Sequence, residues 1–227
     1  MRPPHEHTPI SLLAEAPTAG AAPTVLAREP GFAIKLFAPP AGETVAAVTP
    51  PGQGQLLVPL RGEALVQEVG GAEGKVIMTV RDGREAHLVR GNLFRVANDA
   101  QWGLVGRTEG SLVLGISTSV PREAERVDDL LQLARSRMHV APRQVFANES
   151  VSVEVIAARG LLPFRGWLPY AHTTANTQYS IVLQGTFDAR TTAADQEAGW
   201  RGALPELSML RLGAGTRHRF RAQMDGL

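Results

Sequence analysis

From Phe32 onward the chain reads as a series of short apolar runs, each closed by residues that turn a backbone. Residues 32–37, 44–48, 55–60, 64–67, 75–80 and 87–89 are separated by Pro39-Pro40, Pro50-Pro51-Gly52, Gly70-Gly71 and Asp82-Gly83. Residues 94–96, 103–105 and 111–116 continue the series. Runs this short, at this spacing, predict strands of a sandwich or barrel. None approaches the roughly 18 apolar residues of a membrane span.

A second pattern lies further along. His172 and Thr174 are two apart, so on a strand both point to one face, and Gln178, Ser180 and Val182 can share that face on the next strand. Gly185 closes the apolar run 181–183 where a turn needs positive φ, and Gly213-Ala214-Gly215 makes another such turn before His218. Neighbouring strands would bring two histidines and a carboxamide together. Tyr170, two before His172, belongs on the same face and is a candidate pocket-lining group.

These residues resemble the two motifs of the cupins. The first cupin motif runs from a glycine through two histidines two apart and a glutamate to a second glycine; Gly166, His172, Thr174, Gln178 and Gly185 fill it by spacing. The second motif is filled by Gly213, Gly215 and His218, with Gly213 where the family has proline. Thr174 thus stands for a histidine and Gln178 for the glutamate. The resemblance implies an all-β fold of double-stranded β-helix (jelly-roll) barrels. It also implies a metal set of His172, Gln178 and His218, with Tyr170 and Thr174 beside it as ligand-binding residues. Imidazole favours a divalent Zn, Fe, Ni or Cu, and the absence of a carboxylate weakens the hold on any of them. The family also includes metal-free members, in which an interior histidine serves as acid or base.

The second half overlays the first. Gln178 follows Gln55 by 123 residues, as Gly185 follows Gly62, and residues 209–212 follow 93–96 by 116. The chain therefore resembles a bicupin, two barrels in tandem. In the first copy the ligand positions read Thr49, Pro51, Gln55 and Trp102, which predicts a barrel without metal ligands and an indole filling its interior. Between the copies, Val127, Leu130, Leu131, Ala134 and Met138 fall on one face of a helix, with proline before and arginines late. His87 and His139 lie away from the motifs and read as surface or structural residues. The expected organisation is an arm over 1–24, a first barrel over 25–120, a linker helix over 121–140 and a second barrel over 141–227.

After Trp102 the first copy has a further strand, 111–116, whereas nine residues follow His218. An open barrel edge invites pairing, so residues 10–13 or 24–27 are expected to cross onto the second barrel, from their own chain or a partner's. A homodimer is the expected assembly.

A chain of 227 residues, 44% hydrophobic, can bury a large core. Its net charge of +1 and the lack of any basic run give no case for a nucleic-acid partner. Lysine occurs only at Lys35 and Lys75, so arginine carries nearly all the positive charge. No cysteine is present, which excludes disulfides and thiolate chemistry. No apolar stretch follows the charged start, so the expected location is the cytoplasm, with no membrane partner. Three classes of function fit: a metal-dependent oxygenase, isomerase or lyase acting on a small organic molecule; a module that binds or senses such a molecule without turnover; and a barrel kept for structure alone.

Overall fold

The computed structural model describes residues 8–47, 51–68, 85–100, 102–121, 127–135, 143–156, 172–173, 176–192 and 200–222. In chain order the strands are β1 (Ile10–Ser11), β2 (Thr24–Glu29), β3 (Phe32–Phe37), β4 (Thr44–Ala47), β5 (Gly54–Arg61), β6 (Ala64–Glu68), β7 (Glu85–Leu88), β8 (Asn92–Val96), β9 (Trp102–Gly106), β10 (Leu112–Thr118) and β11 (Val127–Asp129). The helix α1 (Leu130–Arg135) follows. Then come β12 (Arg143–Ala147), β13 (Ser152–Val155), β14 (His172–Thr173), β15 (Gln178–Ile181), β16 (Phe187–Thr192), β17 (Arg201–Leu204), β18 (Ser208–Leu212) and β19 (Arg217–Ala222). The run expected as a strand over 75–80, together with Thr49, Tyr170, Thr174 and His139, lies outside the described residues.

The chain divides into two units. The N-terminal unit takes Ala16–Ala134 and Arg143–Val155; the C-terminal unit takes Met1–Glu15, Arg135–Pro142 and Ile156–Leu227. In the N-terminal unit a six-stranded sheet runs β11-β8-β5-β10-β3-β2 and a four-stranded sheet runs β4-β9-β6-β7, with β12 and β13 as a hairpin. Their inward faces hold Phe37, Leu57, Val66, Leu88, Trp102, Leu104 and Val113 in one core. In the C-terminal unit a three-stranded sheet runs β1-β18-β15 and a four-stranded sheet runs β14-β19-β16-β17, around Val182, Ala189, Leu204, Leu210 and Leu212.

The internal repeat is a repeat of structure. β7 and β17 have the same length 116 residues apart, as do β8 and β18, and β4-β9-β6-β7 is the order of β14-β19-β16-β17. Gly62 and Gly185 both have positive φ, 66° and 81°, where each chain turns into the next strand. Entering β8, Gly91 sits at φ 86°; at the matching position entering β18, Leu207 sits at φ 57°. A non-glycine residue in that region is uncommon and strained. Leu207 is held there by burial and by its N–H donating to the Val182 carbonyl at 2.9 Å.

The short edge strands β11 and β1 do the same work. β11 pairs with β8, and Leu130 N–H donates to the Gly91 carbonyl at 2.8 Å; β1 pairs with β18, and Leu12 N–H donates to the Leu207 carbonyl at 2.8 Å. Leu130 and Leu12 are both buried. The segment at residues 10–13 thus lies on the second barrel, but beside β18, where the first copy has β11, and not at the edge left by the missing counterpart of 111–116; β2 pairs with β3 in the N-terminal unit.

The linker corrects the sequence reading. Val127, predicted as the start of a helical stripe, opens β11, and the helix is confined to Leu130–Arg135 among the described residues. The cause is long-range: Val127, Asp128 and Asp129 stand opposite Phe94, Leu93 and Asn92. There the backbone gains ladder hydrogen bonds, and Arg95 Nη2 donates to Asp128 Oδ2 at 2.5 Å. Arg95 is buried, donates also to the Val145 carbonyl, and lies 5.7 Å from the Phe146 ring centroid. One guanidinium therefore joins β8, β11 and β12.

Candidate functional site

In the C-terminal unit the first three residues of β19 alternate. His218 is 3% exposed, while Arg217 and Arg219 on either side of it are exposed. His218 faces the interior with its ring 5.2 Å from that of Phe220, which packs on the core. His172 stands directly opposite His218 on β14, and Thr191 directly opposite it on β16. Opposite residues of an antiparallel pair have Cα atoms about 4.5–5.5 Å apart, so His172, His218 and Thr191 form one row across three strands. Thr191 is 2% exposed, and its Oγ1 has no hydrogen-bond partner among the described residues. Its backbone N–H donates to the Trp200 carbonyl at 2.8 Å.

The third expected ligand comes from the other sheet. Gln178 stands opposite Leu212 on β18, and Ser180 opposite Leu210. Those leucines belong to the same core cluster as Phe220, so Gln178 and His218 sit on faces that enclose one interior. Gln178 is half-buried, and its Nε2 donates to Ser180 Oγ at 3.3 Å. Tyr170 and Thr174, the expected ligand-binding residues, fall outside the described residues. Thr191 was absent from the sequence reading, although the alternation of Phe187, Ala189 and Thr191 marks one face of a strand.

The N-terminal unit repeats this geometry with different chemistry. Trp102 occupies the His218 position on β9, and Ala47 stands opposite it as His172 stands opposite His218. That register replaces the Thr49 assignment made from spacing alone. Trp102 is 2% exposed and meets Phe37 edge-on, ring centroids 6.2 Å apart. Its Nε1 has no hydrogen-bond partner among the described residues. Gln55, fully buried, donates from Nε2 to Ser117 Oγ at 2.6 Å, and its Oε1 lies against Gly115, close enough that an added Cβ there would sit 2.9 Å away. This interior is filled by side chains. His87, expected at the surface, is exposed, with Nε2 2.9 Å from Glu63 Oε2.

No protein-family model matches the chain, and no curated protein matches it in sequence. Solved structures do. A cupin 2 conserved barrel domain protein from Leptotrichia buccalis superposes with a TM-score of 0.69, covering 98% of this chain and 93% of its own at 12% identity. The fold is a cupin fold. The cupin likeness extends to protein Ylba of E. coli, with a TM-score of 0.58 at 11% identity over 86% of this chain and 74% of that one. A variant of oxalate decarboxylase OxdC from Bacillus subtilis gives 0.52 at 9% identity, over 98% and 75%. The chain is nearly all β, two double-stranded β-helix barrels in tandem with the short helix α1 between them.

The cupin metal set can now be compared with the donors present. Among the described residues no group of three or more His, Cys, Asp or Glu converges. Among the described residues the interior row offers imidazole and hydroxyl, the facing sheet a carboxamide, and neither a carboxylate. Such a neutral set does not fit the three histidines and one glutamate of the family's metal centre. No helix among the described residues is long and apolar enough to cross a membrane.

Proposed function

We propose that the C-terminal barrel binds a small organic molecule in its interior, with His218 as the principal polar contact and Thr191 beside it. The observation that carries this reading is the buried pair His218 and Thr191, directly opposite each other on a face that, among the described residues, they share with Phe187, Ala189, Leu204 and Phe220. A buried hydroxyl without a partner costs about 1–3 kcal/mol, and a ligand that accepts or donates at Thr191 Oγ1 would recover that cost. Ligand sites of this kind are apolar cavities with a few convergent polar groups. Imidazole can also move a proton near neutral pH, so the same contact serves an enzyme or a sensor.

The alternative of metal-dependent chemistry, such as oxygenase, isomerase or lyase activity, has one observation in its favour. His172 and His218 stand directly opposite each other, as paired imidazole ligands would. Two measurements separate the readings. Thermal shift of the wild-type protein is screened against short-chain carboxylic acids, alcohols and sugars, then repeated with His218→Phe and Thr191→Val. The binding reading expects stabilising compounds whose effect is lost in both variants; compounds that stabilise both variants as well as wild type would sink it. Metal content of protein purified without chelator or a nickel column is measured alongside. Stoichiometric metal, lost in His218→Phe, would establish the metal reading in its place.

A further inference from the structure

On β3 the packed core of the N-terminal barrel stops at Phe37, and a cation stands next to it on the same face. Residues 33, 35 and 37 share one side of the strand, and Phe37 packs in the core with Leu57 and Val113. Lys35 therefore faces the same way and is half-buried, as is Ala33. Gly115 of β10 stands directly opposite Lys35, and Leu57 of β5 stands opposite Gly115 on its other side. Away from β10, β2 forms the edge of the sheet, with Val25 opposite Lys35 and Arg28 opposite Ala33. Arg28 is exposed. Lys35 and Arg28 are thus diagonal neighbours at that edge, and no acid pairs with either among the described residues.

Two observations set this place apart from a solvated pair of charges. Burial, and secondarily Arg28, lowers the Lys35 pKa: the fold withdraws an ammonium from water and sets a second cation beside it. The other observation is Gln55. Its Nε2 donates to Ser117 Oγ at 2.6 Å, yet its Oε1 has no hydrogen-bond partner although the residue is fully buried. That oxygen lies over Gly115, 2.9 Å from where a Cβ would be, and Phe37 Cε2 lies 2.6 Å from the same point. A cation without an anion and an acceptor without a donor therefore flank one bare glycine. A buried acceptor left unmet costs about 1–3 kcal/mol, which a ligand that donates to it would recover.

We propose that Lys35, Arg28 and Gln55 form a binding site for a small hydroxycarboxylic acid, its carboxylate held by the two cations and its hydroxyl donating to Gln55 Oε1. Charge-assisted hydrogen bonds to a carboxylate are the strong ones, and the Phe37 ring gives a short carbon chain an apolar wall. A plain carboxylate such as propionate meets the cations and leaves the Gln55 oxygen unmet; lactate, of the same chain length, meets both. The site belongs to the N-terminal barrel and is independent of the reading given to His218.

The chain has two lysines, so Lys75 serves as the reference for Lys35. Both are acetylated with an N-hydroxysuccinimide ester at matched ionic strength, and the rate at each is followed by peptide mass spectrometry in the presence of sodium lactate, propionate or sulfate. Lactate is expected to slow the reaction at Lys35 and leave Lys75 unchanged, at concentrations roughly tenfold below those at which propionate does so, the worth of one buried acceptor satisfied. In Gln55→Leu, its fold verified by circular dichroism, lactate and propionate should protect alike. In Arg28→Gln both should need about tenfold more. Labelling of Lys35 that is indifferent to lactate, equal protection of Lys35 by propionate or sulfate, or equal protection of Lys75 would each overturn the proposal, and these comparisons are made on the wild-type chain, whether or not either variant folds.

Discussion

Replacing Arg95 by methionine removes one side chain from three elements at once. The guanidinium is 6% exposed and Asp128 15% exposed, so their ion pair is largely withdrawn from water. Breaking a buried pair from one side costs about 3–5 kcal/mol, because the remaining charge stays buried without its partner. Asp128 keeps some solvent, which places the expected loss near the lower end, and the Val145 carbonyl loses a charged donor as well. A loss of about 3 kcal/mol is therefore expected, or roughly 10 °C in the melting of a unit of this size. The double variant Arg95→Met/Asp128→Leu should recover most of it, since a well-packed apolar pair can match a buried ion pair. Urea unfolding followed by circular dichroism gives the free energies, and hydrogen exchange reports whether β11 and β12 loosen together. A loss below about 1 kcal/mol for Arg95→Met, or no coupling in the Arg95 and Asp128 cycle, would refute the assignment of this guanidinium as the tie between β8, β11 and β12.

Leu12→Ala should destabilise the C-terminal unit by about 3 kcal/mol, the usual cost of emptying a fully buried leucine site. Leu130→Ala should do the same to the N-terminal unit, and differential calorimetry showing both variants acting on a single shared transition would contradict the assignment. Burial, and secondarily Arg28, lowers the Lys35 pKa from its ordinary value, so the folded chain binds fewer protons than the unfolded chain between the two values. Stability should therefore rise as pH increases through that window. Lys35→Met should stabilise the protein near neutral pH, and urea midpoints that show the same gain at alkaline pH would contradict this.

The sequence made the strands legible because their pattern is local. Alternation and turn glycines located the cores of β3, β5, β6 and β10, and Gly62 and Gly185 fell where positive φ is needed. β11 was hidden because Val127, Leu130, Leu131 and Ala134 satisfy helical spacing, and only the distant edge of β8 decides that the first of them is a strand residue. At the candidate site, motif spacing nominated His172, Gln178 and His218, of which the register sets His172 opposite His218. Thr191 escaped because a threonine in a strand carries no motif, and its position is fixed by the register of β16 on β19.

The edge strands β1 and β11 carry a consequence for how the chain folds. Leu12 of the first repeat and Leu130 at the head of the second are equivalent residues, yet each docks on the other repeat's barrel: Met1–Glu15 groups with the C-terminal unit and β11 with the N-terminal one. In a protein of a single repeat, such a trade could be made only between two molecules, as a domain-swapped pair. The tandem chain makes within one molecule the exchange that a single-repeat protein would need two copies to make. Cutting the chain between the repeats would leave two fragments that complete each other's sheets, and each should need the other to fold.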